Sequence, residues 1–453
     1  MDWKKQTVLV AGSGTSGLGA ANLLKKVGAG VIIYDGNEKL NKDSILEKLE
    51  DCSEVRVVLG ALPQEIIKES DLMVLSPGIA IDAPFVEEVR KAGVPIWGEV
   101  ELAYSIGKGK VVAITGTNGK TTTTALVGEI LAAHYKKVDV VGNIGNPYTT
   151  TVFDSDDDTV TVAEISSFQL ETIHTFKPDV SAVLNITPDH LNRHYTMECY
   201  SDVKMSIAKN QDENQPIVLN YEDAILREYA PKLKNKIIWF SSRQKLDEGV
   251  FLDGDNIIYK ENGVETVVTT TKDTTLVGIH NTENIMAAIA ICISMNVPAQ
   301  TIKKAILEFR AVAHRIEYVE TINDVIYYND SKGTNTDASV KAIEAMSRPT
   351  ILIAGGYDKK VSFDEWAEAF GDKVKLLVLM GETAEQIKQA VTKQGFLNII
   401  EVKTLKEAVD VCFEQAGPGD AVLLSPACAS WDMFDSYEQR GDLFKEYVRE
   451  KMK

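Results

Sequence analysis

The residue types best suited to chemistry lie together in the segment 119–121, which reads Gly-Lys-Thr. Residues 110–115 form a predicted buried strand, and residues 122–135 form the predicted helix that follows. A loop between such elements directs backbone N–H groups and a helix N-terminus at one point, which suits a phosphate group. The Lys120 ammonium would neutralise phosphate oxygens, and the Thr121 hydroxyl would bind Mg²⁺.

This loop departs from the full phosphate-loop pattern at one position. The full pattern has a glycine five residues before Gly119, and Ile114 stands there instead. An ordinary strand-to-helix turn, in which Gly and Asn are common, is the alternative. We favour the phosphate interpretation because Gly-Lys-Thr falls where the strand becomes the helix. The variant loop predicts nucleotide binding but no particular reaction.

Two more candidate ligands follow predicted strands in the same part of the chain. Glu164 ends the strand 159–164, and a carboxylate there is a suitable Mg²⁺ ligand close to Thr121. His190 follows the strand that begins at Val180, where a ring nitrogen can also serve as a ligand. A solvated glutamate and a structural histidine are the alternatives.

Three polar residues on predicted helices are further candidates. Lys204 lies in a helix predicted over 200–211, and pattern alone makes it a solvated lysine. Asn281 and Asn284 lie three residues apart in the first turn of the apolar helix that runs through 285–295, so they share a face. Helix capping accounts for one asparagine, whereas a bound ligand accounts for both.

The N-terminal segment carries a glycine turn, Gly12-Ser-Gly-Thr-Ser-Gly17, after the predicted strand 7–11. Asp35 ends the next strand, which completes the spacing of the dinucleotide-binding fingerprint. The turn fits NAD, another diphosphate-linked nucleoside, or a turn whose glycines serve packing alone. Ser76 and Gly78 follow a later strand, at the edge where ligands of open α/β sheets bind.

The last segment also places charged residues at the ends of predicted elements. Asp330 and Lys332 follow the strand 325–329, Lys359 follows another buried strand, and Arg315 begins the segment. Each of the cations has a solvated alternative. Three cations at the ends of elements in an acidic protein favour a local anion site.

Composition limits the classes of function. With 453 residues, 44% hydrophobic and 25% charged, the chain is predicted to contain two to four globular domains. Its net charge of −18 argues against nucleic acid and anionic membranes as main partners. Five scattered cysteines without Cys-x-x-Cys spacing, no signal pattern and no apolar run of membrane-spanning length predict a cytoplasmic protein.

Strand and helix patterns alternate along the chain, with hairpin signals at Asp253-Gly254 and Asn262-Gly263. The pattern predicts an α/β protein of three domains. These are an N-terminal Rossmann-like domain over 1–98, a central mononucleotide-binding P-loop domain with extra β-hairpins over 99–311, and a C-terminal Rossmann-like domain over 312–453.

Together these segments resemble the Mur ligase family, whose members build the peptide of peptidoglycan precursors. The signature segments occur in order along the chain: 115–121 (TGTNGKT), 164–169 (EISSFQ), 188–190 (PDH), 280–284 (HNTEN), 314–315 (HR) and 330–335 (DSKGTN). Two further segments are most similar to the members that add D-glutamate: 425–434 (SPACASWDMF) and 438–441 (EQRG).

The resemblance implies an ATP-dependent, ADP-forming ligase that adds D-glutamate to UDP-N-acetylmuramoyl-L-alanine in cytoplasmic peptidoglycan precursor synthesis. It implies ATP and two Mg²⁺ ions as cofactors, and a carbamylated Lys204 that gives the metal a carboxylate. The implied partners are these small molecules, without nucleic acid or membrane, and we expect a monomer.

The resemblance also implies a role for each site residue. The implied ATP-binding residues are Gly116, Thr117, Asn118, Gly119, Lys120, Thr121, Thr122, Asn281, Asn284, Arg315, Asp330 and Lys332. The implied metal ligands are Thr121, Glu164, His190 and carbamylated Lys204, and the implied catalytic residues are Lys120, Lys204, His190 and Glu164. The implied UDP-sugar-binding residues are Thr15, Ser16, Asp35, Gly36, Ser76, Gly78, Asn143 and Gln169. The implied amino-acid-binding residues are Thr334, Lys359, Ser430 and Tyr437.

Three alternatives stay open at this point. Folylpolyglutamate synthetase shares the phosphate-loop domain and the ligase chemistry, but it lacks the N-terminal Rossmann-like segment. An NAD-dependent oxidoreductase with an appended ATPase domain would account for the glycine turn, and tight NAD binding would identify it. A nucleotide-gated binding protein would use the phosphate loop as a switch, and substrate-dependent ADP release separates a ligase from it.

Overall fold

Three β-sheets form the framework of the chain, as the alternating strand and helix patterns predict. The computed structural model describes residues 1–143, 146–274, 276, 278–309, 313–359 and 361–452, without the side chains of Asn192 and Asp337. Two compact units divide the chain: Met1–Thr270 with Glu283–Ile306, and Thr271–Thr282 with Leu307–Lys453. The first unit contains two of the sheets, and the second unit contains the third.

Five parallel strands form the first sheet: β1 (Thr7–Ala11), β2 (Gly30–Asp35), β3 (Arg56–Leu59), β4 (Leu72–Leu75) and β5 (Ile96–Gly98). The helices of this segment are α1 (Thr15–Lys26), α2 (Lys42–Leu46), α3 (Gln64–Glu69) and α4 (Pro84–Lys91), with a 3₁₀ turn at Trp3–Lys5. The strand order is β3-β2-β1-β4-β5, the order of a Rossmann-like half. The glycine turn after β1 therefore lies at the centre of the sheet, between the ends of β2 and β4.

Nine strands form the second sheet: β6 (Lys110–Thr115), β7 (Lys137–Gly142), β8 (Thr159–Glu164), β9 (Val180–Val183), β10 (Ile217–Asn220), β11 (Ile237–Ser241), β12 (Gly249–Asp253), β13 (Asn256–Glu261) and β14 (Val264–Thr270). The helices from residue 99 to 309 are α5 (Glu99–Ile106), α6 (Lys120–Ala132), α7 (Tyr148–Thr151), α8 (Ser167–Leu170), α9 (Leu191–His194), α10 (Met197–Met205), α11 (Ala224–Tyr229), α12 (Ile279–Ser294) and α13 (Ala299–Glu308). Short 3₁₀ turns occur at Val152–Asp154, Ser206–Ala208, Ala230–Lys232 and Thr271–Asp273.

The order of this sheet places the phosphate loop beside the predicted metal ligand. The order is β14-β13-β12-β11-β10-β9-β6-β8-β7, so β6 lies between β8 and β9. Ile114 pairs with Glu164 across β6 and β8, and the loop begins two residues after Ile114. Strands β12, β13 and β14 are antiparallel, which confirms the two hairpins predicted from Asp253-Gly254 and Asn262-Gly263.

Six strands form the third sheet: β15 (Glu317–Ile322), β16 (Val325–Asn329), β17 (Thr350–Ala354), β18 (Val374–Leu379), β19 (Ile399–Glu401) and β20 (Ala421–Leu424). Its helices are α14 (Thr336–Ala345), α15 (Asp364–Glu368), α16 (Ala384–Lys393), α17 (Leu405–Gln415) and α18 (Tyr437–Glu450). The order is β15-β16-β20-β17-β18-β19, and all pairs except β15 with β16 are parallel. Strands β17 and β20 are buried along their whole length, as expected of parallel strands with both faces covered.

Three helices begin earlier than the sequence pattern predicts. The helix predicted over 122–135 begins at Lys120, because Gly119 is its N-cap with φ 83° in the left-handed region. The helix predicted over 200–211 begins at Met197, because the Thr196 hydroxyl accepts the N–H of Cys199 at 3.1 Å. The apolar helix predicted from 285 begins at Ile279.

Two further predictions concern a domain boundary and membrane-spanning segments. The predicted boundary between 311 and 312 lies outside the described residues. Within the part of the chain that the structure describes, no helix combines the length and the apolar character needed to span a bilayer.

Candidate active site

The phosphate loop is held from two sides. Gly116 and Gly119 have φ angles of 151° and 83°, which favour glycine. A Cβ atom on Gly119 would lie 2.2 Å from Asn284 Oδ1, so Asn284 packs directly against the loop. On the other side, the Asn118 N–H donates to Asn185 Oδ1 at 2.8 Å, and Asn185 Nδ2 donates to the Asn118 carbonyl at 3.1 Å. These contacts fix the loop at the N-terminus of α6, where an anion is stabilised.

Two lysines meet on one carbonyl of this loop. Lys120 Nζ donates to the carbonyls of Gly116 and Thr117, both at 2.9 Å, and Lys204 Nζ donates to the Gly116 carbonyl at 2.8 Å. Lys204 is 2% exposed, so the pattern-based assignment of a solvated lysine is wrong. Burial lowers the pKa of Lys204 well below its ordinary value, the Lys120 charge lowers it further, and Asp189 opposes both. This environment favours the neutral amine of Lys204.

Glu164 ends β8 inside the protein rather than in solvent. It is 1% exposed, and Asn143 Nδ2 donates to its Oε1 at 2.8 Å. Its Oε2 is buried and has no hydrogen-bond partner among the described residues. A buried carboxylate oxygen without a partner is costly, and a hard cation would satisfy it.

The donor set at this edge fits Mg²⁺ bound together with a substrate. No cluster of three or more His, Cys, Asp or Glu residues that could hold a metal occurs in the described ranges. Mg²⁺ usually takes one or two carboxylates and completes its shell with water and substrate phosphates. Glu164 and the Thr121 hydroxyl, on the second residue of α6, are the residues that could hold it beside a nucleotide.

The structure places His190 close to the segment of Glu164. His190 precedes α9, has φ 52°, and its Nε2 lies 3.5 Å from Asp189 Oδ2. Its ring packs against Phe168 of α8, with 4.8 Å between the ring centroids. Phe168 follows Glu164 by four residues in the chain. The His190 side chain is half exposed.

Sequence reasoning missed Tyr200, another residue that supports the phosphate loop. The Tyr200 hydroxyl lies 3.1 Å from Thr117 Oγ1, and burial raises the pKa of Tyr200 to about 12. Lys204 Nζ also lies over the Tyr200 ring, at 4.7 Å from the ring centroid. Its position four residues before Lys204 on a helix was the only available signal, because such residues share a face.

A cleft of about 520 Å³ opens at the carboxyl end of the first sheet. It is lined by Gly12–Ser16, Tyr34–Gly36, Ser76–Ile79 and Phe85. Six of the residues predicted to bind the UDP-sugar belong to this lining: Thr15, Ser16, Asp35, Gly36, Ser76 and Gly78. The buried hydroxyl of Ser76 has no hydrogen-bond partner among the described residues, so a ligand in this cleft could complete it.

The glycine turn and Asp35 are partly explained by packing. A Cβ atom on Gly17 would lie 1.9 Å from the Gly12 carbonyl oxygen, so close helix–strand packing requires this glycine. Asp35 Oδ2 accepts from the Ser13 N–H at 3.0 Å and from the Ser13 hydroxyl at 2.6 Å, and Oδ1 accepts from the Asn37 N–H at 3.0 Å. Burial alone would raise the pKa of Asp35, but these hydrogen bonds outweigh it and lower the pKa.

Two of the residues predicted for the UDP-sugar lie away from the cleft lining, close to Glu164. Asn143 donates to Glu164, as described above. Gln169 Nε2 donates to Glu99 Oε1 at 2.7 Å, and Gln169 Oε1 accepts from the Ser166 N–H at 2.8 Å. Burial raises the pKa of Glu99, against the lowering effect of its polar neighbours.

In the second unit, Asp330 holds a strained loop. Asp330 Oδ1 accepts from the Ile316 N–H at 3.2 Å, and Oδ2 accepts from the Ser425 hydroxyl at 2.7 Å. Ile316 and His314 have φ angles of 44° and 64°, which are unfavourable for these residues. Burial raises the pKa of Asp330 to about 6, although the Arg315 charge opposes the shift.

Arg315 and Asn281 are the other nucleotide-site candidates in this unit. Arg315 lies between His314 and Ile316 in the strained loop, and its buried Nε has no hydrogen-bond partner among the described residues. Asn281 is buried in the first turn of α12. Asn284, on the same helix, is counted with the first unit.

The predicted amino-acid-binding residues lie on three loops of the second unit, after β16, β17 and β20, and at the first residue of α18. Lys359 Nζ donates to the Thr334 carbonyl at 3.1 Å and lies 5.9 Å from the ring centroid of Trp431. Lys332 Nζ lies 5.8 Å from the ring centroid of Tyr437. Ser430 is buried next to Trp431 in the chain. The structure therefore pairs Lys359 with Thr334, and Lys332 with Tyr437.

A buried arginine that the sequence prediction missed connects the loop after β16 with the loop after β20. Arg440 is fully buried, its Nε donates to Ser331 Oγ at 2.9 Å, and its guanidinium donates to the carbonyls of Ser331 and Cys428 at 2.9 and 3.2 Å. Burial lowers the pKa of Arg440 to about 10. Its place in the EQRG segment was the only sequence signal, and nothing in the pattern indicated burial.

Three protein-family models match three successive segments of the chain. The model of the MurD-like N-terminal domain of Mur ligases matches residues 6–98, the Mur ligase middle domain matches 114–292, and the glutamate ligase domain of Mur ligases matches 314–428. Among curated proteins, the UDP-N-acetylmuramoylalanine–D-glutamate ligases of Lachnospira eligens and Lachnoclostridium phytofermentans are each 54% identical over 448 residues, which is 99% of both chains.

Solved structures have the same three-domain α/β fold at low sequence identity. The UDP-N-acetylmuramate-alanine ligase MurC of Thermotoga maritima superposes with a TM-score of 0.61 at 18% identity, over 98% of this chain and 100% of that one. The MurF ligase of Thermotoga maritima, solved in complex with ADP, gives 0.61 at 16% identity, over 100% of this chain and 97% of that one. The full-length matches and the three domain models show that the chain belongs to the Mur ligase family.

Proposed function

We propose that this chain is an ATP-dependent ligase that adds D-glutamate to UDP-N-acetylmuramoyl-L-alanine, with release of ADP and phosphate, in peptidoglycan precursor synthesis. The observation that carries the proposal is the 54% identity, over 99% of both chains, with two ligases named for this substrate and amino acid. The phosphate loop, the buried Glu164 and the cleft of the first sheet support it.

The proposed UDP-sugar site is the cleft of the first sheet. Thr15 and Ser16 begin α1, where backbone N–H groups favour a diphosphate. Asp35 is kept ionised and fixed by Ser13, so it can accept a hydrogen bond from the nucleoside. Asn143 and Gln169, beside the Glu164 segment, are proposed to meet the sugar end of the substrate.

The proposed reaction has two steps, because a carboxylate and an amine do not condense in water unaided. The L-alanine carboxylate attacks the γ-phosphorus of ATP, which forms an acyl phosphate and expels ADP. The D-glutamate amine then attacks the acyl carbon, expels inorganic phosphate and loses a proton, which leaves the amide. Phosphoryl transfer depends mainly on positioning and on positive charge around the phosphate oxygens.

The proposed roles in the first unit follow from this need for charge. The Lys120 ammonium would leave its carbonyl partners and neutralise the terminal phosphates. Glu164, His190 and the Thr121 hydroxyl would hold Mg²⁺ ions. When bound, the ions would supply positive charge between the phosphates and the substrate carboxylate. The loop residues 116–122 and Asn284 would place the triphosphate on the N-terminus of α6.

Lys204 is proposed to act as a carbamate. Its buried environment favours the neutral amine, which is the form that adds to the carbon of CO₂. The addition of CO₂ to the neutral amine forms a C–N bond, releases one proton and leaves an anionic carbamate. The resulting carboxylate would be a further ligand for the metal.

The remaining roles belong to the second unit. Asn281, Arg315, Asp330 and Lys332 are proposed to contact the nucleotide. Thr334, Lys359, Ser430 and Tyr437 are proposed to receive D-glutamate, and Lys359 would pair with one of its carboxylates. The monomeric state and the cytoplasmic location remain predictions.

Substrate-dependent ADP release tests the proposal. We expect ADP to accumulate only when ATP, UDP-N-acetylmuramoyl-L-alanine and D-glutamate are all present. L-Glutamate and the other amino acids of the same peptide should not replace D-glutamate. ADP release that ignores the UDP-sugar would indicate a nucleotide switch instead, and tight binding of NAD would favour the oxidoreductase alternative.

A further inference from the structure

Arg193 connects the loop of His190 to the rim of the first sheet's cleft. It lies on α9, three residues after His190, and its side chain is only 14% exposed. The guanidinium lies 4.6 Å from the ring centroid of Phe168. Both segments belong to the first compact unit.

The hydrogen bonds of Arg193 reach two other parts of that unit. Its guanidinium donates to the carbonyls of Pro77 and Ile79 at 3.3 and 2.8 Å, and to Glu171 Oε2 at 2.6 Å. Pro77 and Ile79 line the cleft, together with Ser76. One planar group therefore bonds the wall of the cleft and the segment that follows Glu164. Only arginine offers five donors in a rigid fork for such a task.

Phe168 extends these contacts to the predicted metal ligand. Its ring contacts His190 at 4.8 Å between centroids and stacks on His194 at 5.5 Å. Arg193 lies over the same ring. A shift of Arg193 would change the surface on which the His190 ring rests.

We infer that Arg193 is a positioning residue that couples occupancy of the N-terminal cleft to the arrangement of His190 at the phosphate loop. The inference rests on the proposed function, in which a UDP-sugar occupies the cleft and a nucleotide triphosphate occupies the loop. A ligand that orders the 76–79 segment orders the acceptors of Arg193, and through Phe168 it orders His190. Coupling of this kind is reciprocal, so each ligand strengthens the binding of the other.

Two variants distinguish coupling between the two ligand sites through Arg193 from a purely structural role of Arg193. Arg193→Lys retains a positive charge for Glu171, but it loses the fork that reaches both carbonyls. Tyr195→Phe is the matched control: the Tyr195 hydroxyl donates to Asp82 Oδ2 at 2.6 Å between the same two segments, and Tyr195 is 70% exposed. The control removes a surface bond and leaves Phe168 and the cleft wall untouched.

The test measures binding of a non-hydrolysable ATP analogue by calorimetry, with and without saturating UDP-N-acetylmuramoyl-L-alanine. We expect the UDP-sugar to tighten analogue binding at least about fivefold in the wild type and in Tyr195→Phe. In Arg193→Lys we expect less than about twofold tightening, with each ligand still bound alone. A wild-type ratio in Arg193→Lys, or no tightening in the wild type, overturns the inference but leaves the proposed function standing.

A second measurement needs no variant. Hydrogen exchange of the peptide that covers residues 76–82 should slow when the ATP analogue binds to the wild-type protein without the UDP-sugar. Unchanged exchange there would count against Arg193 as the link. If the wild type binds neither ligand, the proposed function fails and the inference fails with it.

Discussion

Replacement of Gly119 by alanine tests the phosphate loop more sharply than removal of a charge. Gly119 has φ 83°, and a left-handed residue with a Cβ atom costs roughly 1–2 kcal/mol. The added methyl would also lie 2.2 Å from Oδ1 of the buried Asn284, so this side chain must shift. In the free protein, the loop of Gly119→Ala is expected to relax out of the left-handed conformation. ATP binding then requires the loop to return to that conformation, so the strain lowers the affinity. Backbone strain alone then weakens ATP binding by about 5- to 30-fold at roughly 1.4 kcal/mol per tenfold, and the clash adds to it.

The matched control for this variant is Gly254→Ala in the turn between β12 and β13. Gly254 has φ 59°, and no atom lies within 4 Å of the position its Cβ would take. It therefore introduces left-handed strain without a clash and away from the loop. Calorimetry with a non-hydrolysable ATP analogue should show at least about tenfold weaker binding for Gly119→Ala and an unchanged affinity for Gly254→Ala. Wild-type affinity in Gly119→Ala would refute the loop as the phosphate cradle.

Three more predictions concern single side chains. Lys204→Ala should lose nearly all turnover and regain part of it with a small added carboxylic acid; full activity without the acid would exclude the carbamate. Glu164→Gln should retain the acceptor for Asn143 but raise the Mg²⁺ concentration for half-maximal turnover at least about tenfold, since one anionic ligand is lost; an unchanged Mg²⁺ dependence contradicts the metal role. The pKa of Asp330 is raised from 3.8 to about 6 in the folded protein, so its contribution to stability is fully present below about pH 4 and is lost as the pH rises through 6. This amounts to up to about 3 kcal/mol at roughly 1.4 kcal/mol per unit. Denaturant titrations should show that dependence in the wild type and not in Asp330→Asn, and equal pH profiles would contradict it.

The sheets and the loop positions were predictable because their causes are local. Runs of buried β-branched residues mark the parallel strands, and a glycine in each two-residue turn marks both hairpins. The end of a predicted strand also fixes the end of a parallel sheet, so Glu164 could be placed near the phosphate loop. The register, which pairs Glu164 with Ile114, agrees with this placement.

Burial of charged residues was not predictable, because it depends on contacts between distant segments. Lys204 has a helical pattern typical of a solvated lysine, yet its Nζ donates to a carbonyl 88 positions earlier in the chain. Arg440 and Arg193 bond carbonyls more than 100 positions away. Hydrophobic periodicity carries no information on such pairs. The resemblance to a family raised Lys204 above the pattern, but it gave no role to Arg193.

The two lysines on the Gly116 carbonyl suggest why the site separates their roles. Two ammonium groups on one acceptor repel each other, and burial penalises Lys204 more than Lys120, since Lys204 is buried and Lys120 only partly so. Burial and the Lys120 charge both lower the pKa of Lys204. The neutral amine is the form that would accept CO₂, and the proposed carbamylation would then place a negative group at Lys204. A chain with a net charge of −18 does not attract ATP over long distances. Screening by salt also limits the reach of individual exposed charges to about 8–10 Å. Under the proposed function, nucleotide affinity would come from the loop amides, Lys120 and a bound metal, so Lys204→Ala should weaken Mg²⁺ binding before it weakens the fold.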